Sequence, residues 1–179
     1  MSGSVMTDNR RIVGLAGFPG AGKALVSRHL QAKGFVRLRV MDAPRDMLVA
    51  AGYVRSSFDD RHTEEGAANL AGSPQRLLQS LIKWGRACCG EALWLQIYAN
   101  RIRLLTGDVV TDDLKWPEEA DVCRSSGGVV LRIDKPGVAA PNEKAAAAVA
   151  NMKFDAVLVN DRGPRDLCAA VDEWLATAA

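Results

Sequence analysis

The sequence predicts an α/β fold, a five-stranded parallel sheet flanked by helices in a single domain over 1–179. Three observations carry this expectation. Short apolar runs alternate with segments of helical period along most of the chain. A glycine-rich turn joins the first such run to the first such segment. Of 179 residues, 48% are hydrophobic and 25% charged, the balance of one globular domain with a proper core. Lys and Arg number 23 against 21 Asp and Glu, and a formal charge of +2 gives no general reason to expect a nucleic-acid partner. Any affinity for phosphate must be local.

The elements follow in order. Arg11 to Gly17 is a short apolar run and reads as a strand; Gly22 to Lys33 carries Leu25, Val26 and Leu30 at helical spacing. Val36, Leu38 and Val40 alternate with Arg37 and Arg39, the period of a half-covered strand, and Ala43 to Ala51 reads as a helix. The stretch 55–72 has no sustained period and is expected to be a connection with one helical turn. Ser73-Pro74 begins a helix to about Cys88, with Pro at its first position, and a second helix follows over 91–105. Together they form a helical insertion spanning about 53–106. Strands are then expected at 108–111, 129–133 and 156–160, with helices at 117–126 and 165–178. A segment with a short Ala-rich helix, about 134–152, separates the last two strands.

Four cysteines, Cys88, Cys89, Cys123 and Cys168, fit neither a metal spacing nor a disulfide framework. They read as reduced, mostly packed thiols of a cytoplasmic protein. The first ten residues hold no apolar signal-peptide core, and no stretch approaches the roughly 18 apolar residues of a membrane helix, so a soluble chain without a membrane partner is expected.

Gly17-Phe18-Pro19-Gly20-Ala21-Gly22-Lys23 matches G-x-x-x-x-G-K between an expected strand and an expected helix. In that setting backbone N–H groups converge on phosphate oxygens, the helix N-terminus adds partial positive charge, and Lys23 can neutralise the β and γ oxygens. The motif asks next for Ser or Thr as a Mg²⁺ ligand, and the chain has Ala24. No G-x-G-x-x-G can be drawn through these glycines, which disfavours dinucleotide redox chemistry.

On the helix after Ser73, Arg76, Gln79, Lys83 and Arg86 share one stripe, with Leu77, Leu78, Leu81 and Trp84 largely opposite. The stripe suits either a solvated face or a grip on a substrate phosphate. Asp112 and Asp113 close a strand where P-loop proteins place an acid that orients Mg²⁺. Lys115, Arg132 and Lys135 lie at or beyond strand ends, on the edge where a nucleotide would sit, and each suits a solvent-facing charge equally well. His29 and His62 are isolated, which argues against a metal or His-based site.

From Ile12 to Leu175 these residues resemble the deoxynucleoside monophosphate kinases of tailed bacteriophages. Asp42-Ala43-Pro44-Arg45 is similar to that family's A-D-P-L-R/K signature. Ser73-Pro74-Gln75-Arg76-Leu77-Leu78-Gln79 with Trp84-Gly85-Arg86 resembles S-P-R-x-L-L-Q and W-G-R, and Gly90 to Trp94 resembles G-x-x-L-W. Asp113 to Ala120 looks like D-V-R-F-P-N-E-A, Ile133 to Gly137 like I-x-R-P-G, and Phe154 to Asp161 like F-D-x-x-I-x-N-D. The departures are Ala24, Gln75 in place of Arg, Lys115 and Lys135 in place of two further arginines, and Asn142-Glu143 as a remnant of H-x-S-E.

The resemblance implies a P-loop NTPase fold of the nucleoside monophosphate kinase type and transfer of phosphate from ATP, with Mg²⁺, to a deoxynucleoside monophosphate. It places the ATP phosphates on Gly17, Phe18, Pro19, Gly20, Ala21, Gly22, Lys23 and Ala24. The acceptor falls to Asp42, Arg45, Arg76, Gln79 and Arg86, transferring-phosphate charge to Lys23, Arg86, Lys115 and Lys135, and Mg²⁺ to Asp113 through water. The segment about 134–152 becomes a lid. Partners would be small-molecule nucleotides, a homodimer is compatible with this reading, and the compartment would be a bacterial host's cytoplasm. The alternative is a nucleotide-binding protein of the same fold, catalytically impaired and acting as a sensor or interaction module.

Overall fold

The computed structural model of the protein describes residues 10–58 and 73–177. In chain order the elements are β1 (Ile12–Ala16), α1 (Lys23–Ala32), β2 (Val36–Arg37), α2 (Asp42–Ala50), a 3-10 turn (Arg55–Phe58), α3 (Pro74–Cys89) and α4 (Leu93–Leu104). Then come β3 (Val109–Thr111), α5 (Pro117–Ser125), β4 (Val129–Asp134), α6 (Glu143–Ala150), β5 (Ala156–Val159) and α7 (Pro164–Thr177). All five strands are parallel, in the order β2-β3-β1-β4-β5. The chain divides into two compact units, Met1–Leu38 with Ile102–Ala179 and Arg39–Arg101. α2 belongs to the second unit's core.

In the first unit β1 is buried along its whole length, as a central strand covered on both faces must be. Val13 and Leu15 point to the face covered by Val26 and Leu30 of α1 and by Leu167 and Val171 of α7. Gly14 points the other way, where a Cβ would stand 2.5 Å from Leu114 and 3.1 Å from Cys123 of α5, so the missing side chain lets that layer approach. His29 joins α1 to α7 through Asp172 at 2.8 Å, with Lys33 on the other carboxylate oxygen at 3.1 Å. The histidine is a structural tie. No described helix is long and apolar enough to cross a membrane.

β2 is shorter than the alternation of Val36 to Val40 suggests. The Leu38 N–H still bonds Val110 O at 2.9 Å, but the Arg39 N–H donates to the Asp42 carboxylate at 2.8 Å. That local bond replaces the ladder and turns the chain into α2.

The second unit packs Ala43, Leu48, Tyr53, Phe58, Leu78, Ile82 and Trp94 around its own core. α3 buries Pro74, Leu78, Ile82 and Gly85, one line along the helix. Gly85 is required there: a Cβ would meet the Trp94 ring at 2.4 Å, and the Trp94 indole N–H donates to Ile82 O at 3.0 Å. Trp84, expected on the apolar side, is instead 56% exposed. It lies about 120° round the helix from Leu78, beyond the edge of the buried line. The thiols also differ from expectation, since Cys88 and Cys89 are exposed and only Cys123 is buried. Of the connection expected over 55–72, one 3-10 turn is seen, and 59–72 lies outside the described residues.

Candidate functional site

The turn after β1 is laced at both ends. Gly17, at φ 128°, passes so close to β4 that a Cβ would stand 2.3 Å from Ile133 O. Gly22, at φ 119°, caps α1 in a left-handed conformation, where a Cβ would meet Asn160 Nδ2 at 2.8 Å and Leu167 at 3.0 Å. Asn160 donates that amide to Ala21 O at 2.9 Å, and its own N–H donates to Asp134 O at 2.7 Å, so the end of β5 holds the loop's far side. Lys23 Nζ donates to Gly17 O at 2.7 Å and Phe18 O at 2.9 Å. Pro19, Gly20 and Ala24 are exposed, and Ala21 is in the core. At the start of α1 the Leu25 and Val26 N–H groups both donate to Gly22 O, at 3.0 and 3.1 Å, and the helix N-terminus adds partial positive charge beside the loop.

The sheet order makes this the natural ligand crevice. β1 and β3 are neighbours, yet the chain leaves β1 towards β2 and leaves β3 towards β4 on the opposite side. At the end of β3, Asp112 is 7% exposed, and one carboxylate oxygen lies 2.8 Å from Arg37 while the other is buried without a hydrogen bond. Asp113 is half-buried and Lys115 exposed. Glu119 of α5 reaches back to the N–H groups of Lys115 at 2.6 Å and Trp116 at 3.2 Å and so shapes this loop. Burial, and next the Asp113 charge, push the Glu119 carboxyl up to about 7 against those hydrogen bonds.

The expected lid lies along the same edge of the first unit. Val138 is the nearest group to a Cβ placed on Gly20, at 3.9 Å, and Lys144 stands 4.9 Å over the Trp116 ring. Asn142 caps α6 by accepting from the Ala145 N–H at 2.9 Å. Lys135 is exposed in the turn before it. Arg132 is engaged elsewhere, with Asp134 at 2.7 Å and over the Phe154 ring at 5.6 Å.

In the second unit Asp42 and Arg45 come together, at 3.6 Å, with Arg39 on the same carboxylate at 3.1 Å. One turn on, Asp46 pairs with Arg55 and with Arg101, the latter at 2.5 Å. Burial alone would raise the Asp46 carboxyl; hydrogen bonds and charge from Arg101 and Arg55 outweigh it and hold it below its usual range. Arg76 and Gln79 are exposed on α3, and Arg86 is half-buried with Nε 3.8 Å from Glu91. Gln75 has a structural task, donating to Ser57 O at 3.2 Å and so tying α3 to the 3-10 turn.

Sequence reasoning did not single out Asn160, Glu119, Arg55, Asp46 or Arg101. Asn160 and Glu119 lie inside quoted motifs, so a signal existed. Arg55 and Arg101 carried none, since they meet Asp46 from 9 and 55 residues away. For metal, no group of three His, Cys, Asp or Glu among the described residues could hold an ion.

No protein-family model and no curated protein sequence matches the chain. Solved structures do. Shikimate kinase from Acinetobacter baumannii in complex with shikimate superposes with a TM-score of 0.54 at 14% identity, over 96% of this chain and 96% of that one. Shikimate kinase from Aquifex aeolicus gives 0.52 at 12%, over 92% and 95%. Dephospho-CoA kinase from Campylobacter jejuni gives 0.52 at 11%, over 94% and 98%. With the parallel order β2-β3-β1-β4-β5 and the glycine loop after β1, these likenesses show the fold: a P-loop NTPase fold of the nucleoside monophosphate kinase-like type.

Proposed function

We propose that the protein is a P-loop kinase that transfers the γ-phosphate of ATP to a deoxynucleoside monophosphate. The observation that carries this reading is the loop Gly17–Lys23 at the carboxyl edge of β1, tied by Lys23 to Gly17 O and by Asn160 to Ala21 O and packed closely on Ile133 at Gly17. It supports binding of the ATP phosphates to the loop at the N-terminus of α1 and to Lys23. The choice of acceptor rests on the resemblance in the second unit, with Arg45, Arg76 and Arg86 taking the monophosphate. Asp42 orients Arg45, and Gln79 borders the same face. Lys115 and Lys135 supply positive charge to the transferring group, and the segment about 134–152 excludes water, without which ATP would be hydrolysed.

The residues fit Mg²⁺ only loosely. Ala24 offers no ligand, and Asp113 is a single half-buried carboxylate. Asp113 would hold Mg²⁺ through water, and the ion would supply neutralisation of phosphate charge when bound.

ADP release measured across the deoxynucleoside and ribonucleoside monophosphates tests the reading. Turnover with a deoxynucleoside monophosphate, lost in Lys23→Ala, is the expected result. A second reading, nucleotide binding without transfer, is favoured by Ala24 and by the engagement of Asp112 with Arg37. ATP binding by calorimetry with no ADP release from any monophosphate would establish it instead.

A further inference from the structure

Two residues of the first unit sit where their own helices disfavour them. Lys144 stands in the first turn of α6, two residues after the cap Asn142, where the positive end of the helix dipole repels a cation. Trp116 holds the N-cap of α5, a position that favours short side chains with an acceptor oxygen, although an indole can only donate. Glu119 caps in its place, accepting the Trp116 N–H at 3.2 Å. The two misplaced residues meet: Lys144 Nζ lies 4.9 Å from the centroid of the Trp116 ring. Among aromatic rings the indole is the strongest partner for a cation. Two local conflicts resolved by one tertiary contact point to a contact with a task.

The contact joins two segments of the ligand edge. Trp116 ends the loop that carries Asp113 and Lys115 after β3, and Glu119 fixes that loop through the N–H groups of Lys115 and Trp116. Lys144 belongs to the segment that follows β4, where Val138 is the nearest group to a Cβ placed on Gly20, at 3.9 Å. Apolar anchoring of α6 is slight. The helix buries only Ala148 and Val149, while Ala146, Ala147 and Ala150 are exposed, so a contact at its start has leverage over the whole segment.

We propose that Trp116 and Lys144 form a latch that holds the segment 134–152 against the loop after β3 while phosphate is transferred. This rests on the kinase reading and adds two positioning residues to it. Both act through other groups, by keeping Val138 beside the glycine loop and water out of it. Because Lys144 is exposed, the contact is weak enough to release, and its loss shifts the closed population by about two- to fivefold.

Hydrogen exchange of the full chain, and ADP release with and without a deoxynucleoside monophosphate, test this in Lys144→Gln, Lys144→Arg, Trp116→Leu and the double variant of Lys144→Gln with Trp116→Leu. The expected result is exchange of α6 amides about two- to fivefold faster in Lys144→Gln and Trp116→Leu, with a similar fall in kcat for transfer at unchanged acceptor KM. A larger share of ADP should then be released without acceptor. The double variant should be no worse than either single one, and Lys144→Arg should recover most of the loss. The exposed Lys144 variants carry the test alone should Trp116→Leu not fold. If α6 exchange is unchanged, or the two single effects simply add, the latch fails while the kinase reading stands. Faster exchange with an unmoved ratio of hydrolysis to transfer would make the contact structural only and overturn the proposal. If wild type releases no ADP with any monophosphate, the kinase reading fails and takes the latch with it.

Discussion

Two residues decide measurable behaviour on their own. Ala24 sits exposed in the first turn of α1, at the position where the motif asks for a hydroxyl as a Mg²⁺ ligand. Ala24→Ser should lower the Mg²⁺ concentration needed for half-maximal ADP release, read from a metal titration at saturating nucleotide, with little change in nucleotide affinity without metal. Glu119 bears on pH. Its carboxyl rises from 4.5 to about 7 on folding because burial penalises the charged form. A raised folded value means that folding takes up a proton across this window. The stabilising contribution is complete below about pH 4.5 and is lost as pH rises through about 7. A shift of this size corresponds to roughly 3 kcal/mol between the two limits. Glu119→Gln keeps an acceptor for the Lys115 and Trp116 N–H groups without the charge, so urea unfolding should find the variant more stable than wild type at pH 8. At pH 4.5 the two should be nearly equal.

Among the elements, α3 and α4 depend on one missing methyl. A Cβ on Gly85 would stand 2.4 Å from the Trp94 ring, which is itself fixed by its bond to Ile82 O. Gly85→Ala gains about 1 kcal/mol in helix propensity but must push the indole away, an overpacking cost of about 1–3 kcal/mol. A net loss of stability by chemical denaturation is expected, although alanine is the better helix former. The same helix marks where pattern reading stops. Apolar spacing found α3 and its polar stripe, because burial follows the helical period. It misplaced Trp84, since a 16-residue helix buries only the narrow line of Pro74, Leu78, Ile82 and Gly85. β1 and the glycine loop were legible because their constraints are local. The early end of β2 was not, because it turns on whether the Asp42 side chain takes one backbone N–H from the ladder. Nor was the arginine network, whose members meet only after the second unit has folded.

For the whole molecule, two cores among the described residues share no residue: one is built on Val13, Leu15, Leu131 and the helices α1 and α7, the other on Ala43, Leu48, Tyr53, Phe58, Leu78, Ile82 and Trp94. The larger one should set the global unfolding free energy, and the smaller should open by itself at lower cost. Hydrogen exchange read by mass spectrometry is expected to show amides of β1, β3 and β4 exchanging slowest and those of α3 sooner, as a cooperative group. The glycine loop has a consequence of a different kind. Gly17 is demanded by the carbonyl of Ile133, and Gly22 by Asn160 and Leu167, neighbours that belong to the fold's own packing. Purifying selection on stability alone would keep both glycines in a descendant that had stopped transferring phosphate. The fingerprint is thus a durable record of ancestry, whereas loss of activity would be written first at positions such as Ala24, where nothing in the fold objects to change.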